Sequence, residues 1–150
     1  MSLSKFLNSI GNTSEEIANY LRTQGIKGRK TEDCCPIAVA LYKHTPTMPL
    51  GLNVRHRVRG SKSNPTHTVR ITWDDCQILD PYCPEAVAQF VADFDDGKYP
   101  DLEGWSGLEV ALLYRKSLPI TQRFKKPAYE KIEQLIKSSG DPWELVNDSN

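Results

Sequence analysis

The stretch from Asp33 to Tyr42, Asp-Cys-Cys-Pro-Ile-Ala-Val-Ala-Leu-Tyr, constrains the fold of this chain most strongly. Pro36 suits the first turn of a helix, where its fixed φ and missing N–H are tolerated, and Asp33 is a candidate N-cap. The next six residues are all apolar, so no helical face is left for water. The pattern predicts a short helix buried on most of its faces, with the thiols of Cys34 and Cys35 at its N-terminal end.

Two alternating segments follow this helix and predict β-strands. Residues 52–59 and 66–73 each alternate between the two sides of a pleated strand, and residues 76–79 predict a short third strand after Asp74-Asp75. The economical arrangement is an antiparallel meander with one face packed on the buried helix. That face carries Leu52, Val54, His56, Val58, His67, Val69, Ile71 and Trp73. The opposite, water-facing side carries Arg55, Arg57, Arg59 and Arg70.

Further helices are predicted over the first ten residues, over 14–24, over 84–94, over 106–116 and from Pro127 onward. Capping boxes at Thr13–Glu16 and Ser106–Glu109 mark two helix starts, and Gly25 is a left-handed cap. Pro46 and Pro49 are expected to end the buried helix. The inward residues of the last two helices are Leu108, Leu112, Leu113, Tyr129, Ile132, Leu135 and Ile136.

These elements predict one α+β domain over residues 1–150. It contains a small three-stranded antiparallel meander, a buried central helix and about four further helices. A chain of this length buries about 68–70% of its unfolded surface, so a core needs neither disulfides nor metal. The loop at 117–126 is the only place where a boundary fits, and residues from about 141 to 150 are expected to be frayed.

Charge is distributed unevenly although the net charge is zero. Residues 1–73 carry eleven Lys and Arg against four Asp and Glu, and residues 74–150 carry eight against fifteen. This asymmetry indicates either a basic face for an anionic partner or two halves that neutralise each other. The candidate anion-binding residues are Arg55, Arg57, Arg59, Arg70, Lys27, Arg29 and Lys30. Bases cannot stack on this face because it carries no aromatic side chain, which argues against readout of single strands.

Other classes of site have weaker signals. The first ten residues do not resemble a signal peptide and no apolar run reaches about 20 residues, so a cytoplasmic protein with reduced thiols and no membrane contact is expected. The cysteines lack the spacing of a zinc site, and no metal or cofactor is predicted. Four dense acids, at Asp93, Asp95, Asp96 and Asp101, are interpreted as a solvated helix end.

A thiol at a helix start can act as a nucleophile, because the helix dipole favours thiolate and a histidine can serve as base. The order Cys35-Pro-Ile-Ala-Val-Ala-Leu, then His67-Thr-Val-Arg-Ile-Thr-Trp, then Asp80-Pro81 resembles the papain-like superfamily, most closely its transglutaminase-like branch. The resemblance implies Cys35 as nucleophile, His67 as base and Asp80 as orienting acid, in acyl transfer or amide hydrolysis.

A second resemblance rests on Cys35-Pro-Ile-Ala and on residues 87–100, Val-Ala-Gln-Phe-Val-Ala-Asp-Phe-Asp-Asp-Gly-Lys-Tyr-Pro. These segments are similar to small bacterial proteins of actinobacterial type with no assigned activity. The resemblance implies a structural Cys35. We therefore expect a small cytoplasmic bacterial binding or regulatory module that engages an anionic partner, such as nucleic acid or phosphate, or a protein. The alternative is a thiol enzyme that uses Cys35, His67 and Asp80.

Overall fold

The computed structural model describes residues 3–45, 50–73, 77–80 and 83–137; for Arg59, Trp73 and residues 77–80 it describes the backbone alone. The chain has the predicted α+β architecture. Its elements are α1 (Leu3–Ser9), α2 (Ser14–Thr23), α3 (Pro36–His44), β1 (Leu52–Ser61), β2 (Asn64–Trp73), β3 (Gln77–Asp80), α4 (Glu85–Asp95), α5 (Gly107–Ser117) and α6 (Lys126–Lys137), with 3-10 turns at Pro100–Leu102 and Ile120–Gln122. Our predictions for Pro46, Pro49, Asp74-Asp75, Cys76 and the C-terminal residues from 138 concern positions outside the described residues.

The predicted buried helix is α3, and every residue from Pro36 to Tyr42 is buried. Burying a Val, Leu or Ile side chain contributes about 1.5–3 kcal/mol, so α3 is a large part of the core. It contacts β1, α5 and α6, which explains why apolar residues surround its axis. The prediction of Asp33 as N-cap is wrong. Cys35 takes the extended cap conformation directly before Pro36, and Asp33 is exposed.

The sheet is the predicted meander, in the order β1-β2-β3, with all neighbours antiparallel. Its apolar face buries Val54, Val69 and Ile71. Helix α3 contacts the sheet through β1, as predicted, and α4 covers it as well, mainly through β2. An amphipathic helix with one apolar stripe suits a sheet face, and α4 buries Phe90 and Phe94 in this way.

Local capping signals gave accurate helix ends. Thr13 Oγ1 accepts a hydrogen bond from the Glu16 N–H at 3.1 Å, and Gly25 takes the predicted left-handed conformation with φ 67°. The Glu16 carboxylate accepts from the Asn12 N–H at 2.6 Å, one residue before the position that a capping box predicts. Ser106 caps α5 by accepting from the Glu109 N–H at 3.2 Å.

Helices α5 and α6 pack against each other across the 117–126 loop, and both contact α3. Leu108, Ile132, Leu135 and Ile136 are buried as predicted. The inward placement of Leu113 and Tyr129 is wrong, because these side chains are 53% and 47% exposed. The small Ala111 and Ala128 take the inner faces of the two helices, which lets the helix backbones approach closely.

Candidate functional site

Cys35 is the first candidate residue, and it lies buried at the N-terminal end of α3 with 3% of its surface exposed. Burial raises the pKa of its thiol to about 12; the N–H groups of Ile37 and Ala38 act in the opposite direction, and Asp95 and Asp33 raise the pKa further. The raised pKa favours the protonated thiol at neutral pH over the thiolate, which is the nucleophilic form. The helix start alone does not activate this thiol.

The histidine that shares a cavity with Cys35 is His56 of β1, not the predicted His67. Cys35, His56 and Asp95 line this cavity of about 130 Å³. His67 does not line it, but its Nδ1 lies 2.9 Å from His56 Nε2, and the two rings stack at 5.1 Å. The sequence placed His56 on the correct face and still gave it no role. The grouping becomes visible only in the fold, where α4 places Asp95 in the same cavity as Cys35 and His56.

The pKa shifts of His56 and Asp95 both favour the neutral form of the side chain, which does not suit acid–base catalysis with a thiol. Burial lowers the pKa of His56, and His67 lowers it further, while Asp95 and Asp96 raise it. The pKa of Asp95 is raised, first by partial burial. A neutral imidazole that shares a cavity with a neutral thiol does not form an activated ion pair with it. Of the predicted orienting acid, Asp80, the structure describes the backbone alone, paired with Ile71 across β2 and β3.

Two cations of the 27–30 loop bind acids within the chain. Arg29 Nε lies 3.1 Å from a Glu109 carboxylate oxygen, and its guanidinium lies 5.0 Å from the Trp105 ring centroid. Lys30 Nζ lies 3.6 Å from Glu103. The loop backbone is also held, because Gly28 donates to Leu102 O at 2.9 Å and accepts from Gly104 N at 3.0 Å. The loop is therefore anchored at both its side chains and its backbone. Of its three cations, Lys27 alone is exposed and lacks an ion pair with a described residue.

The sheet arginines differ in their surroundings. Arg55 is half-buried and forms an ion pair with Glu32 at 3.0 Å. Arg70 is half-buried directly opposite Arg55 in the β1–β2 register, an arrangement of like charges that is unfavourable without an anion nearby. Arg57 is exposed and has no ion pair with a described residue. The side chain of Arg59 lies outside the described residues.

The outer part of the β1–β2 hairpin, residues 57–68, is named here the basic ribbon. Its described side chains are exposed except for that of His67, which is half-buried. Even Val58, on the apolar face, is 57% exposed, so none of the described helices covers this part of the sheet on either side. The ribbon contains Arg57, Arg59 and Lys62, and no acidic residue occurs between positions 51 and 73.

The acidic cluster is not a solvated helix end throughout. Asp95 and Asp96 are exposed, but Asp93 is 6% exposed and accepts hydrogen bonds from Ser14, Gln89 and Lys98. Asp101 accepts from Arg22 Nε at 2.6 Å. Two of the four acids therefore connect elements of the fold.

Comparisons of the chain with family models, with curated proteins and with solved structures found no match. Among the described residues, no helix is both long and apolar enough to cross a bilayer. The same part of the chain holds no group of three or more His, Cys, Asp or Glu side chains that is arranged for a metal ion.

Proposed function

We propose that this protein is a nucleic-acid-binding module and that the basic ribbon contacts the phosphates of a duplex. The observation that carries the proposal is that the described side chains of residues 57–68, apart from the half-buried His67, are exposed on both faces of the hairpin, in a segment without any acid. An antiparallel sheet normally packs one of its faces on the core. A cationic hairpin with both faces exposed is therefore a candidate surface for a partner.

The dimensions of the ribbon fit a duplex groove. Five residues on each strand extend about 16 Å at roughly 3.3 Å per residue, and two strands lie about 4.8 Å apart. The major groove of DNA is about 12 Å wide and admits a two-stranded ribbon. The ribbon sequence, Arg-Val-Arg-Gly-Ser-Lys-Ser-Asn-Pro-Thr-His-Thr, has no Phe, Tyr or Trp on which a flipped base would stack. This composition supports backbone contact with a duplex over readout of a single strand.

The test is fluorescence anisotropy of a labelled mixed-sequence 20-bp DNA duplex, titrated with protein at several salt concentrations. Affinity should fall as salt rises, and the double variant Arg57→Gln/Lys62→Gln should make the slope of log K against log salt shallower by about 1.8, or about 0.9 for each lost phosphate contact. The matched control Lys125→Gln/Lys131→Gln removes two cations of α6 and its preceding loop. It should leave the slope unchanged.

Two results would contradict this function. One is an absence of duplex binding at low salt, which would favour a protein partner for the ribbon. The other is an equal loss in the ribbon variant and in the control, which would show that net charge rather than the ribbon governs binding.

The thiol-enzyme alternative has one favourable observation, the cavity shared by Cys35, His56 and Asp95. The raised pKa of Cys35 opposes it. Labelling of Cys35 with iodoacetamide from pH 6 to 10, monitored by peptide mass spectrometry, distinguishes an activated thiol from a structural cysteine. Rapid labelling below pH 7 that is lost in His56→Gln would support an activated thiol, whereas labelling that stays slow through pH 9 would leave Cys35 structural.

A further inference from the structure

A cleft of about 330 Å³ lies between the 29–34 segment, the start of β1 and one face of α5. This volume is at the lower end of the range of small-molecule sites, which is about 300–1,000 Å³. Its floor is formed by the buried side chains of Tyr42, Leu52 and Leu108. Leu112 and Leu113 of α5 form an apolar wall. The cleft is separate from the basic ribbon and shares none of its residues.

The charges that line the cleft are unequally satisfied. Arg29 and Glu109 neutralise each other at 3.1 Å. Arg115 and Lys116 also line the cleft, and neither forms an ion pair with a described residue. Asp33 is the remaining acid, so the lining carries one net positive charge. Arg115 is half-buried, and a guanidinium in such a place is suited to bidentate recognition of a carboxylate.

Two features on α5 have no full explanation within the fold. Arg115 and Lys116 favour the dipole at the C-terminal end of the helix, but this effect does not require an apolar neighbour. Leu113 is 53% exposed, and its side chain lines the same cleft. An occupant with an apolar body and a negative head would cover Leu113 and pair with Arg115 together.

We propose that this cleft binds a small organic anion, a carboxylate with an apolar body. The apolar body would lie against Leu112 and Leu113, and the carboxylate would lie at Arg115 and Lys116. Small-molecule sites combine an apolar lining with a few placed polar groups in this way. The proposal does not depend on the binding of nucleic acid.

The probe for the test is octanoate, with 1-octanol and octylamine as isosteric neutral and cationic probes, each titrated into ¹⁵N-labelled protein and followed by amide NMR. Octanoate should shift amides of residues 31–34, 52–53 and 108–116, and octylamine should bind more weakly. Arg115→Gln should raise the octanoate Kd about tenfold or more while leaving the octanol Kd within about twofold, because only the charge-assisted contact is lost.

Further variants separate the apolar contact from general effects. Leu113→Asn should weaken both octanoate and octanol, and Arg57→Gln of the basic ribbon should change neither. The proposal is overturned if octanoate shifts do not map to the cleft, if the three probes bind alike, or if Arg57→Gln weakens octanoate as much as Arg115→Gln. None of these outcomes bears on duplex binding by the ribbon, so each proposal can fail by itself.

Discussion

Asp93 is the buried acid of α4 that joins this helix to α2. Its carboxylate accepts hydrogen bonds from Ser14 Oγ at 2.7 Å, from Gln89 Nε2 at 2.9 Å and from Lys98 Nζ at 3.0 Å. The residue is only 6% exposed. We expect Asp93→Ala to lower the free energy of unfolding by an amount that depends on how well the three donors find other partners.

The magnitude follows from those donors. A hydrogen bond to a charged group contributes about 1.5–3 kcal/mol, but the three do not add here. The Lys98 side chain is 62% exposed and returns to water at little cost. The Ser14 hydroxyl lies 2.8 Å from Tyr99 Oη and stays partnered, so Gln89 loses most. We expect a decrease of about 1.5–3 kcal/mol, which for a domain of this size lowers Tm by about 3–12 °C.

The assay is urea unfolding followed by circular dichroism at pH 7, with Asp96→Ala as the matched control. Asp96 follows at the end of the same helix and is exposed, so its removal should change stability by less than about 0.5 kcal/mol, with a slight gain from the helix dipole. If Asp93→Ala also changes stability by less than this amount, or if both variants lose equally, the hydrogen bonds do not hold the two helices together.

The effect of pH gives a second test of Asp93. Burial by itself would raise the pKa of this carboxyl, but the hydrogen bonds from Ser14, Lys98 and Gln89 together outweigh burial and lower it below its ordinary value of 3.8. A lowered pKa contributes stability that is complete above the unfolded pKa and is lost as pH falls through the folded pKa. The difference between the native protein and Asp93→Ala should be constant from pH 7 to about 5 and shrink below about 4. A difference that grows on acidification would refute this account.

Two further predictions concern the fold. An added Cβ at Gly107 would overlap with the backbone oxygen of Leu135. Gly107→Ala should therefore lower the free energy of unfolding, measured with urea, by about 2 kcal/mol or more. An unchanged midpoint would contradict the close approach of α5 and α6. Burial, and after it His67, lowers the pKa of His56 in the folded protein below its ordinary value of 6.5. The free energy of unfolding should therefore fall as the pH decreases below about 6.5, because the unfolded chain binds a proton more readily. Titration of the imidazole by NMR checks this, and a midpoint above 6.5 for His56 would contradict the prediction.

Much of the fold could be predicted because its signals are local. Pro36 and the six apolar residues after it place α3, and the alternation over 52–59 and 66–73 gives strands whose inward face is correct at Val54 and Ile71. Each signal needs only the spacing of side chains along one element. The same signals failed for Leu113 and Tyr129, because an apolar residue at the margin of a stripe can face either the core or water.

The candidate sites needed information that no single segment contains. The sequence supplied Cys35 and a basic hairpin, but no local pattern shows that His56 and Asp95 share a cavity with Cys35 or that His67 contacts His56. The sequence also could not show whether the cations of the 27–30 loop are paired, because Arg29 binds Glu109, which lies eighty residues later in the chain. Contacts over such separations are chosen by how the helices pack on the sheet.

The sequence by itself therefore determined the type of each element, most helix ends, and the buried character of α3. It also showed that residues 51–73 contain five Lys and Arg residues and no acid. Tertiary structure alone decided that α4 covers the sheet, that Cys35 is buried enough for its thiol to stay protonated, and that the basic ribbon extends past the helices. The physical reason is that periodicity reports which side of an element is apolar, whereas burial and charge pairing depend on which other element lies against that side.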